Sequence, residues 1–211
     1  MVGLLLKDIL NLKKYVKQIG IAMILFIIFG INMKNPPYII GMMVMMSSMM
    51  VITSMGYDEQ AKWDKYALTM PILKKDIVLS KYLLLIITTL MGAGVSLIVS
   101  LLMITFLDMG NIKEILIACG LIILIAIAAF SLLIPVIFKV GVEKARIMMF
   151  VVFGIPTLII LGVLKLIQRF NIPKPSEDQI KMLGYAFPFI VLLVFAVSYF
   201  ISVSIFNKKE L

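Results

Sequence analysis

Long apolar runs separated by short polar stretches set the pattern of this chain. A membrane helix needs ~20 mostly apolar residues to cross ~30 Å of hydrocarbon. Tyr38 to Tyr57, Tyr82 to Leu107, Ile115 to Phe138, Ile147 to Leu164 and Met182 to Phe206 meet or approach that length. The first run, Ile19 to Met33, holds only fifteen residues. It is therefore expected to extend back through Val16, with Lys17 reaching for the headgroups. The pattern predicts an all-α membrane protein with six transmembrane helices, organised as a single domain over residues 1–211.

Ahead of the first span, Leu5, Ile9, Leu12, Val16 and Ile19 recur at the spacing of one helical face, and Lys7, Asn11, Lys14 and Gln18 take the opposite one. Residues 1–17 are expected to form an amphipathic helix in the membrane interface, with a plain extension of the first span as the alternative. Lys34-Asn35-Pro36-Pro37 closes the first hairpin, because paired prolines cannot continue a helix but can start one. In the third span Gly92, Ser96 and Ser100 form a small-residue stripe suited to close helix packing. Gly154, Pro156 and Gly162 predict a kink in the fifth.

Composition agrees with lipid as the solvent. Hydrophobic residues make up 63% of the chain and charged ones 15%, against ~45–50% and ~25% in soluble domains. The net charge of +9 is spread over loops rather than gathered on a groove-reading element, which argues against nucleic acid. It reads instead as topology. With the amino terminus inside, alternate segments hold fourteen Lys and Arg within and six without, so both termini are expected in the cytoplasm of a multi-pass membrane protein. The exception is the basic, apolar stretch 165–181, which is expected to lie in the outer interface or re-enter the membrane.

The available chemistry is sparse. Histidine is absent and Cys119 is the one cysteine, which removes the commonest general base, disulfides and cysteine metal clusters. The expected span interiors contain no Asp, Glu, Lys or Arg, so neither an ion relay nor an intramembrane hydrolase is expected. No P-loop pattern occurs either. The second span is rich in methionine and hydroxyl side chains. Met42, Met46, Ser47, Met49, Met50, Thr53 and Ser54 either pack the bundle or line a pathway for an amphipathic substrate.

The connection at 57–81 carries the clearest signal. Asp58 and Glu59 sit where they favour a helix amino terminus, and Trp63, the only tryptophan, lies on a polar element among Lys62, Asp64 and Lys65. A rigid aromatic flanked by charges suits a protein contact, and an interfacial Trp is the alternative. The sequence Y-D-E, then W-x-x-Y, M-P-I, K-K-x-I-V and S-K-Y at Ser80 to Tyr82 resembles the loop of small type-2 ABC exporter permeases. Residues Ile134 to Arg146 are similar to the connection between the fourth and fifth spans of that family, and the nearest subgroup is the permeases of phenol-soluble-modulin-type peptide exporters.

That resemblance implies a permease subunit of an ATP-driven exporter, with a cytoplasmic coupling helix between spans two and three. It places Asp58, Glu59, Lys62, Trp63 and Asp64 at the contact with a separate ABC ATPase subunit, with Pro71 ending the segment. It implies a pathway formed with a second permease copy, as a homodimer or heterodimer. It leaves catalytic, cofactor and metal sites out of this chain, since ATP and Mg would be bound by the partner. An amphipathic or antimicrobial-type peptide is the expected substrate. The alternative is a membrane-embedded immunity or scaffold protein without transport activity.

Overall fold

In a lipid solvent every backbone N–H and C=O must be satisfied within its own segment, which leaves helices as the way to bury runs this apolar. The computed structural model describes residues 2–33, 35–107, 111–169 and 177–209, and among them there is helix but no strand. The helices are α1 (Val2–Lys13), α2 (Val16–Met33), α3 (Pro36–Ser48), α4 (Met50–Gln60), α5 (Trp63–Ala67), α6 (Lys74–Leu107), α7 (Ile112–Val140), α8 (Val142–Arg169) and α9 (Glu177–Lys208). Five stretches are long and apolar enough to cross a membrane: α2, α3 with α4, α6, α7 and α9. α8, of 28 residues, covers about 42 Å at 1.5 Å per residue.

Local chemistry explains the boundaries. Asn35 caps α3 by accepting from the Tyr38 amide, and Pro36 and Pro37 occupy the first helical positions, where a missing N–H is harmless. Asn111 caps α7 in the same way through the Lys113 amide. Met49 separates α3 from α4 within the expected second span without leaving helical backbone angles. Of the 165–181 stretch, residues 165–169 end α8 and 177–181 begin α9, and the expected re-entrant segment between them lies outside the described residues.

The bundle is centred on α3, α6, α7 and α9. α3 and α6 run antiparallel and meet closely at Gly92, where a Cβ would fall on the Ser47 side chain. Ser96 and Ser100 are fully buried on the same face of α6, so the small-residue stripe is a packing seam. α7 and α9 run parallel, with Phe138 against Phe206 at 5.2 Å between ring centroids. The Tyr82 hydroxyl of α6 lies 2.7 Å from Ser198 and 2.8 Å from Ser202 on α9. Ser198 in turn donates to the Ser131 carbonyl of α7. These bonds tie three helices where no water is available. α2 is peripheral: 6% of its apolar window is buried, against 56% for the α3–α4 stretch.

In α1, Leu4, Asp8 and Leu12 point into the protein, whereas Leu6, Ile9 and Leu10 are exposed. The acid on the inner row is tolerated because it has cationic partners there.

Candidate functional site

One end of the bundle collects the start of α1, the end of α4, α5, the beginning of α6, the α7–α8 junction and the tail of α9. At its centre is a buried cluster of four charges. Lys81 of α6 reaches Asp8 of α1 at 2.8 Å and Asp58 of α4 at 2.5 Å, and it donates to Ser54 at 3.1 Å. Lys7 completes the set, 2.6 Å from Asp58 and 3.0 Å from Asp8. The Lys81 and Asp8 side chains are 4% and 1% exposed, so neither charge is held by water. Two acids and two amines cancel, and such a group is tolerated only because its members satisfy one another.

α6 begins at Lys74, seven residues before Lys81, so Lys81 is inside the helix rather than in a loop. Asp8 escaped the sequence reading as well. The signal was present: Asp8 is the only acidic residue before Asp58, and it interrupts the row Leu4–Asp8–Leu12 at helical spacing.

Around the cluster, α4 and α5 are fastened to two further helices. The Glu59 carboxylate accepts from the Val142 amide at 2.6 Å, supplying the start of α8 with an acceptor and a negative charge. Gly141, at φ +87° and ψ 168°, makes the turn between α7 and α8. Only glycine enters that backbone region readily, and a Cβ there would meet the Glu59 carboxylate. Asp64 of α5 pairs with Lys209 beyond α9 at 3.2 Å, and Lys74 donates to the Asn207 carbonyl at 3.2 Å.

α5 is set off from α4 by Lys62, whose φ of 50° is left-handed and redirects the chain. Trp63 is half-buried, with the Lys7 ammonium 4.3 Å from its ring centroid and Tyr66 at 5.4 Å. That cation–π contact links α5 to the charge cluster. Lys62, Lys65, Tyr66 and Pro71 face outward and are exposed. Between this segment and the α7–α8 junction lies a cleft of about 250 Å³ lined by Asp58, Glu59, Asp64, Lys81, Lys139 and Lys209. No grouping of three metal-binding side chains occurs among the described residues.

The residues singled out from the loop thus divide by direction. Asp58, Glu59 and Asp64 turn inward to cations or an amide of other helices, Trp63 straddles, and Lys62 and Pro71 look outward. The residues singled out in the second span also scatter. Ser47 is buried against Gly92 and Ser54 serves the Lys81 ammonium. Met46, Met50 and Thr53 line an opening toward α1 and α2, Met42 is half-buried, and Met49 is exposed. The short exposed helix α5 is bonded on its inner side to α1 and to the residue after α9, and α4, which leads into it, is bonded to α1, α6 and α8.

A family model described as ABC-2 family transporter protein matches residues 3–207. No curated protein matches the chain. No solved structure matches it either.

Proposed function

The chain belongs to the ABC-2 transporter family and is a permease subunit of an ABC transporter, and from that premise we propose that it forms the passage of an exporter. Its family implies an ABC ATPase partner. In this reading the α4–α5 segment is the coupling element, and the ATPase, a separate chain that binds ATP and Mg, docks on its exposed side. The observation that carries the reading is the double-sided character of that segment. Lys62, Lys65, Tyr66 and Pro71 stand free on one side, while Asp58, Glu59, Trp63 and Asp64 are bonded to α6, α8, α1 and the tail of α9 on the other. A push on the exposed side is thereby delivered to several spans together.

The reading takes six spans, which the direction of the helices supports. α7 arrives at the charged end with Val140 and α9 arrives there with Lys208, since both run parallel. α8 leaves that end at Val142, capped by Glu59, and in this reading it carries the chain across for α9 to return. The basic-residue count supports a cytoplasmic charged end, and the reading has both termini inside, in a bacterial cytoplasmic membrane. α1 then lies in the cytoplasmic interface with Leu6, Ile9 and Leu10 exposed to lipid. The pathway forms against a second permease copy, and the Met-rich second span makes amphipathic peptides the substrate we favour.

Reconstitution tests this directly. Proteoliposomes holding the permease and its ATPase should move a labelled amphipathic peptide in an ATP-dependent manner, and Lys62→Glu with Lys65→Glu should abolish movement while leaving the permease folded. ATP-independent protection of cells by the chain alone would instead support an immunity role.

A further inference from the structure

Between α1, α2, the α3–α4 stretch and α6 lies a second, quite different cleft. It has a volume of about 260 Å³ and an almost wholly apolar lining, with Ile9, Val16 and Met23 on one wall, Met50 at the base and Ile87 and Met91 of α6 opposite. Gly20 opens its side: a Cβ there would meet nothing within 4 Å. Tyr15 stacks on Tyr57 with ring centroids 5.1 Å apart, so the turn between α1 and α2 is tied to α4.

The charge beside the lining of this cleft selects its occupant. Lys13 stands one helical turn after Ile9, and Lys17 follows Val16, one turn before Gly20. Both are exposed, whereas Lys14 lines a separate cleft with Tyr57 and Asp58, and no acidic residue occurs in sequence between Asp8 and Asp58. Asp8 and Asp58 are already engaged by Lys7 and Lys81. An apolar slot beneath an unneutralised basic rim matches a molecule with a hydrocarbon tail and an anionic head. We infer that the cleft holds one acyl chain of an anionic phospholipid, whose phosphate lies between Lys13 and Lys17.

The placement of that lipid in the cytoplasmic leaflet rests on the orientation proposed above, but its binding does not depend on transport. In a bilayer an acyl chain gains little from leaving other chains, because lipid tails are as apolar as the cleft. Selectivity therefore resides in the headgroup. Each lysine near an anionic surface contributes roughly a fivefold preference. The bound lipid fills the cleft and fixes α1, and with it Lys7, against α6.

Native mass spectrometry of the purified full chain, without any ATPase, tests the inference. After exchange into detergent with equal phosphatidylglycerol and phosphatidylcholine, one phosphatidylglycerol should be retained in preference. Gly20→Leu and, independently, Met91→Trp should fill the cleft and remove the retained lipid. Gly94→Leu, also in open space on α6 but off the cleft, should leave it in place. Lys13→Gln with Lys17→Gln should lower the preference by an order of magnitude or more. Equal retention of both lipids, unchanged retention in both cleft-filling variants, or cross-linking of an amphipathic peptide there in place of lipid would overturn it. Failure of the transport assay would leave these results untouched.

Discussion

Replacing Lys81 by methionine isolates the charge cluster that joins α1, α4 and α6. The substitution keeps the length and packing of the stem while deleting the ammonium that lies 2.8 Å from Asp8 and 2.5 Å from Asp58. Two carboxylates, 1% and 9% exposed, would then share Lys7 alone. Removing one partner of a buried ion pair costs about 3–5 kcal/mol, because the other charge stays buried and uncompensated. For a chain of this size roughly 2–4 °C accompanies each kcal/mol, so the midpoint should fall by roughly 6–20 °C. Thermal unfolding in a fixed detergent or nanodisc, followed by intrinsic fluorescence from Trp63, reads the change. The control is Asp8→Asn combined with Lys81→Met, which restores neutrality and leaves the Lys7–Asp58 pair. It should recover more than half of the loss. A midpoint for Lys81→Met within about 2 °C of the parent, or a double variant as unstable as the sum of its parts, would refute the reasoning.

Three further outcomes follow from particular contacts. Gly141→Ala forces a Cβ into a glycine-only backbone region and against Glu59, and should cost about 1–3 kcal/mol in the same melting assay. Tyr82→Phe removes the hydroxyl shared by Ser198 and Ser202. Hydrogen bonds within membranes average ~0.6 kcal/mol, so a midpoint drop of a few degrees is expected, with size-exclusion behaviour unchanged. Gly92→Leu places a branched side chain where Ser47 already sits. It should separate α3 from α6 and reduce the yield of monodisperse protein sharply, whereas Gly94→Leu should not.

The features legible in the sequence are those that depend on one segment at a time. Runs of apolar residues announced the five candidate spans among the described residues, Asn35-Pro36-Pro37 announced the start of α3, and the Gly92–Ser96–Ser100 spacing announced a close helix contact. What escaped were pairings across the chain. Asp8 and Lys81 lie 73 positions apart, and periodicity carries no information about which helix a side chain will meet. The same limit applied to the loop. Asp58 and Glu59 read as the start of a helix, yet they lie in the last turn of α4, and Asp58, Glu59 and Asp64 are each bonded to a different element. The chain break at Lys62, in left-handed backbone on a residue with no turn signature, was likewise invisible.

The central claim, that the α4–α5 segment is where an ATPase engages this permease, is tested most directly by cross-linking. Cysteine introduced at Tyr66, which is 57% exposed, in a Cys119→Ser background, should form a cross-link to the co-expressed ATPase whose yield changes when ATP is added. Cysteine at Phe106, 80% exposed at the opposite end of α6, should form none. An intact complex with no cross-link from position 66, or with equal cross-linking from both positions, would contradict the account.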